Sequence, residues 1–116
     1  MDGIGGGGDN PPVMIRRNAN SEFSLEAIAI RLQALRAAWG YTGHGRQRAF
    51  AELMGITPQA WNNYERAGQR IGLDQALLVV RKTGVTLDWI YRGEPAGLPQ
   101  QLRTQLAEEE LAIKSA

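Results

Sequence analysis

The chain has no cysteine among its 116 residues and only one histidine, His44. The first absence excludes disulfide staples and thiolate metal sites; the second excludes a metal centre built on several imidazoles. No apolar run approaches the roughly 20 residues that a membrane span needs. The opening MDGIGGGGDN has neither the basic nor the apolar block of a secretory signal. The expectation is a soluble, cytoplasmic protein of one small domain with tails. Alternating apolar and polar residues, the mark of a half-buried strand, are also missing, and there is no internal repeat.

The constellations of an enzyme are lacking too. Catalysis needs a nucleophile beside a base, paired carboxylates in a cleft, or metal ligands. Glu108, Glu109 and Glu110 are contiguous, so a helix spreads them over different faces. Gly5 to Gly8 lack the Lys-Ser or Lys-Thr ending of a phosphate loop, and no strand precedes them. A non-enzymatic protein is expected, with no cofactor, no metal and no evident small-molecule effector.

Charge is present, but unevenly. The net value is +1. Residues 1–30 set two arginines against four acids, and residues 93–116 set Arg103 and Lys114 against four glutamates. Residues 31–92 hold eight arginines and Lys82 against Glu52, Glu65, Asp74 and Asp88. The positive charge therefore concentrates in the middle, as a nucleic-acid footprint requires, although a solvated mixed-charge surface has the same composition.

Residues 1–20 carry five glycines in the first eight positions, then Asn10-Pro11-Pro12. Such a segment buries too little apolar surface to offset its ordering entropy, so a disordered arm is expected. Arg16 and Arg17 near its end suit a minor groove or are incidental tail charge. Ser21 or Ser24 then caps a helix in which Leu25, Ile28, Leu32, Leu35 and Trp39 recur at helical spacing, with Gly40 as its stop. After the loop GYTGHG, a second helix starts near Arg46 or Gln47, carries Phe50, Leu53 and Met54 on one side, and ends at Gly55. Thr57 before Pro58 reads as an N-cap followed by a proline at the first helical position. That third helix runs to about Arg66, with Trp61 and Tyr64 inward. A fourth opens at Leu73 or Asp74, turns Ala76, Leu77, Val80 and Val79 to the core, and ends at Gly84. Thr86 caps a short fifth, LDWIYR, with Trp89 in the core. A linker and a final helical stretch follow, with Leu98, Leu102, Leu106 and Ile113 along one stripe. That stripe fits a homodimer contact, packing on its own domain, or a foreign partner.

Two short helices joined by a three-residue turn containing glycine have the spacing of a helix-turn-helix. Gln47, Phe50, Ala51, Gly55, Ile56, Thr57, Trp61, Tyr64 and Glu65 fall in the pattern of the phage-repressor-like, Xre-type (Cro-like) helix-turn-helix regulators, which residues 28–94 resemble. The segment GVTLDWIYRGE, residues 84–94, also looks like that family's fifth helix. The resemblance implies an all-α, five-helix repressor-like domain at 21–94, preceded by the arm at 1–20 and followed at 95–116 by a linker and an additional amphipathic helix. It implies a transcriptional regulator, expected to be a repressor, that binds double-stranded DNA as a homodimer. An antitoxin-like or adaptor module directed at another protein is the alternative on the same fold.

The resemblance also assigns residues. Base reading falls on Pro58, Gln59, Asn62 and Asn63. An amide both donates and accepts, which matches adenine N7 and N6 in the major groove; Gln59 and Asn63 lie four apart on one face. Pro58 is a departure, since its ring offers no amide hydrogen bond. Gln47, at the start of the second helix, is expected on a phosphate, with Arg46, Arg48, Thr57, Arg66 and Arg70 around it. Glu65 is expected to pair with Arg36 and lock the first helix to the third. The loop before Gln47 is longer than the family usually has. Ala67 replaces a usual glycine, so Gly68 is expected to take the bend.

Overall fold

Ser24 opens the first helix by accepting a hydrogen bond from the backbone N–H of Ala27 at 3.1 Å. The computed structural model describes residues 21–116; the expected arm at 1–20, with Arg16 and Arg17, lies outside the described residues. The described chain forms six helices and no strand. They are α1 (Leu25–Ala38), α2 (Arg46–Met54), α3 (Pro58–Glu65), α4 (Leu73–Thr83), α5 (Leu87–Arg92) and α6 (Gln100–Ser115). Thr57 caps α3 on Ala60 at 3.2 Å, and Thr86 caps α5 on Trp89 at 2.9 Å. A side-chain cap of this kind contributes about 1 kcal/mol.

The connection from α2 to α3 depends on Gly55, whose φ is 82°. In that left-handed conformation the N–H of Gly55 reaches Glu52 and the N–H of Ile56 reaches Ala51. This paired closure satisfies two terminal carbonyls of α2 and drops Ile56 into the core.

The same closure ends α3, but not where the sequence suggested. Ala67, not Gly68, adopts positive φ, at 60°. Its N–H bonds to Tyr64, and the N–H of Gly68 bonds to Asn63. Register decides this, because the left-handed residue must directly follow the cap Arg66 for both bonds to form. An alanine there pays a steric penalty that glycine escapes. Ala67→Gly is therefore expected to raise unfolding free energy by about 0.5–1 kcal/mol, after the extra entropy glycine loses on folding; a urea titration measures it.

The core is continuous from α1 through α6. Ile28, Leu32 and Leu35 of α1 meet Phe50 and Met54 of α2, Trp61 of α3, Val79 of α4, and Trp89 and Ile90 of α5. Phe50 and Trp61 meet edge to face with ring centroids 5.4 Å apart, which fixes how α2 and α3 cross. Tyr41 packs on Phe50 at 5.3 Å and pins the start of the loop before α2. Trp39, expected within the α1 stripe, instead sits at the C-cap and touches Phe50 from the edge.

Leu77 also departs from expectation. Ala76 and Val79 are buried and Val80 half-buried, whereas Leu77 is 36% exposed. Residues 76, 79, 80 and 83 form one helical face, and Leu77 lies outside it, four residues after the exposed Leu73.

Leu98 and Leu106 are buried within the chain, and Leu102 and Ile113 pack against the same core. The stripe of α6 is thus covered by its own domain, chiefly by α1, which leaves Leu111, 68% exposed, as its outlying apolar residue. Arg31 is the charged member of this region, only 3% exposed. Its guanidinium donates to the carbonyls of Trp89 and Ile90 at the end of α5 and to that of Glu22. A cation there answers orphan carbonyls and the helix dipole together. Burial pushes its pKa down, opposed by Glu110 and Glu22, yet arginine stays charged.

Candidate nucleic-acid interface

Trp61 and Tyr64 fix the rotation of α3 by going inward. Helical spacing then carries Gln59, Asn62, Asn63 and Arg66 to the opposite side. Gln59, Asn62 and Arg66 are exposed, Asn63 is half-buried, and Pro58 is half-buried at the first position of the helix. The expected reading residues therefore share one outward surface, above an indole that is fully enclosed. Asn63 differs from Gln59 in one respect: its Oδ1 accepts from Arg66 Nε at 3.0 Å.

Beneath this surface the Glu65 carboxylate, 5% exposed, is the hub of a polar network. Arg36 grips it with two bonds, Nε to Oε2 at 2.7 Å and Nη2 to Oε1 at 2.9 Å. Gln47 donates to Oε1 at 3.0 Å, and the indole N–H of Trp61 donates to Oε2. Gln33 donates to the Glu65 carbonyl at 2.7 Å, and the remaining arm of Arg36 reaches the Tyr41 carbonyl. One acidic residue thereby ties α1, α2 and α3 to a common frame. The pairing of Arg36 with Glu65 is as expected; the contributions of Gln33, Gln47 and Trp61 were not foreseen. The only signal for them was the i, i+4 spacing of Trp61 and Glu65, which does not by itself distinguish a core indole from a hydrogen-bonded one.

Gln47 consequently has a divided role in geometry. One amide proton faces inward to Glu65, and a primary amide retains a second proton. The first turn of α2 has no side-chain cap, since Gly45 precedes it. The N–H of Arg46 bonds to the Gly43 carbonyl at 3.2 Å, which leaves the N–H groups of Gln47 and Arg48 and the positive dipole end to meet an acceptor. Arg46 is exposed at this terminus, with its guanidinium 4.7 Å from the Tyr41 ring centroid. That contact restrains the arginine without neutralising it. Arg48 pairs with Glu52 at 3.3 Å, both well exposed, so that ion pair is weak and easily exchanged. The hydroxyl of Thr57 accepts the α3 cap bond and keeps its own proton. Arg70 donates to the Phe23 carbonyl at 2.8 Å, which draws it toward the start of α1. His44 is exposed in the loop.

The outward side of α3 and the start of α2 thus present amides, backbone N–H groups and arginines. No family model, no curated protein and no solved structure matches this chain. Among the described residues, no helix is long and apolar enough to cross a membrane.

Proposed function

We propose that this chain is a sequence-specific double-stranded DNA-binding protein, a transcriptional regulator of the phage-repressor-like kind, acting as a repressor. In this reading α2 and α3 are the helix-turn-helix, and α3 enters the major groove. The observation that carries it is the outward face of α3, where Gln59, Asn62 and Asn63 stand over the buried Trp61. An amide-rich helix face is suited to base edges, which offer donors and acceptors in patterns that differ between base pairs. The uncapped start of α2, with Gln47, Arg46 and Arg48, grips the phosphates and sets register. Thr57, Arg66 and Arg70 lie next in sequence around α3, and the network at Glu65 holds both helices at a fixed angle.

A homodimer on a near-palindromic operator follows, with half-sites about 34 Å apart. Selection from random duplex DNA tests the reading: the recovered motif is expected to show two-fold symmetry, with affinity that falls steeply as salt rises. Failure to enrich any sequence at low salt overturns it and favours a module directed at another protein.

A further inference from the structure

The hydrogen bond between Arg66 and Asn63 changes what the end of α3 can read. Resting on the DNA-binding reading above, we propose that Asn63 and Arg66 act as one donor-rich unit that favours guanine over adenine. They replace, in this inference, the separate roles of an adenine-reading amide and a phosphate-gripping guanidinium.

Arg66 Nε lies 3.0 Å from Asn63 Oδ1. A guanidinium has donors and no acceptor, so the amide atom facing it must be oxygen. This fixes the amide orientation, which would otherwise be ambiguous. The Nδ2 group, with its two protons, is turned away from Arg66. Adenine presents an N6 donor and an N7 acceptor in the major groove, and so requires an acceptor as well as a donor from the protein. Asn63 Oδ1 already accepts from Arg66 on one of its two lone pairs, so an adenine N6 donor would have to share that oxygen and stand beside the guanidinium, donor against donor. Guanine presents O6 and N7, both acceptors, which suit the Nδ2 protons of Asn63 and the Nη protons of Arg66.

The arginine is also held in place. A Cβ built on Gly68 would lie 3.2 Å from Arg66 Cζ, 3.4 Å from Nη2 and 3.5 Å from Nε. The guanidinium therefore rests over the bare α-carbon of Gly68, at the cap of α3 and on its exposed side. Gly68 is free for this use because Ala67 makes the left-handed bend. Gln59, exposed one turn earlier, stays able to donate and accept, so the two ends of the helix differ in the base they favour.

Selection from random duplex DNA is run on the full chain and on Asn63→Ala and Arg66→Ala, with thermal melting to show that the variants fold. The base pair whose preference is lost in Asn63→Ala is expected to be guanine-containing in the parent motif. Arg66→Ala releases Oδ1, and the same position is expected to shift toward adenine, with guanine preference falling roughly 5- to 100-fold. Adenine at that position in the parent motif overturns the inference. So does an unchanged motif in Arg66→Ala with affinity lowered evenly on all sequences, which is the signature of a phosphate contact. Failure of the parent chain to enrich any motif overturns the DNA-binding reading itself, and the inference with it.

Discussion

Glu65→Ala is expected to lower the unfolding free energy by about 3 kcal/mol, the low end for breaking a buried ion pair, since Arg36 is half-buried and Glu65 buried. Four side-chain donor contacts converge on this carboxylate, two from Arg36 and one each from Gln47 and Trp61. Truncation leaves the Arg36 guanidinium, only 19% exposed, without its counter-charge, and leaves the Trp61 indole N–H in the core without an acceptor. Against a total stability of about 5–15 kcal/mol for a domain of this size, the loss is large. Denaturant titration measures it, and a loss under about 1 kcal/mol would show that the network relaxes onto water at little cost. The double variant Glu65→Ala with Arg36→Met is expected to lose less than the two single losses combined, since it removes both charges together.

The location of this residue gives the prediction a functional side. Glu65 is the last residue of α3, yet its side chain is bound from α1 and α2. Its removal loosens the angle at which α3 presents Gln59 and Asn63, even under conditions where the chain remains folded. A base-reading helix tolerates little such error, because bidentate amide contacts need fixed geometry. On the proposed DNA-binding function, Glu65→Ala is accordingly expected to bind DNA more weakly and with blurred preference at several positions, whereas a variant on the outward face of α3 affects one.

What the sequence made legible was local. Ser24, Thr57 and Thr86 announce their caps because the chemistry of capping lies within three residues. Gly55 announces its turn because few other residues accept positive φ. Periodicity placed Ile28, Leu32 and Leu35 in the core, and Leu98 and Leu106 on one stripe, without revealing that α1 covers that stripe. What escaped was tertiary or a matter of register. Leu77 looked inward because leucine is apolar, but α4 can bury only one face and Ala76 and Val79 occupy it. Ala67 took the bend assigned to Gly68 because the position relative to the cap outweighs residue preference. Arg31, in the middle of a buried stripe, was invisible as a cap for α5, since the two carbonyls it answers there lie more than fifty residues away. The outward polar side of α3 was legible in outline, while the bond from Arg66 to Asn63 depends on a side-chain geometry no spacing rule states.

On the proposed DNA-binding function, salt is expected to act more strongly than any single substitution. A dimer that neutralises six or more phosphates loses about 10³-fold or more in affinity between 50 and 200 mM salt. The arginines at α2 and beyond α3 divide that loss unequally. Arg46 is exposed and restrained only by the Tyr41 ring, so Arg46→Ala is expected to flatten the salt slope by about one per half-site while leaving the base preference intact. Arg48 is expected to contribute less, because the neighbouring Glu52 carboxylate still repels a phosphate after the weak ion pair opens. Gln59→Ala is the converse case: it is expected to remove about 1–3 kcal/mol of discrimination at one base pair with an unchanged salt slope, and, being exposed, to leave the melting temperature within error. Fluorescence anisotropy across a salt series separates the two. A flattened slope in Gln59→Ala, or an altered base preference in Arg46→Ala, would mean that α3 and the start of α2 face the duplex the other way round.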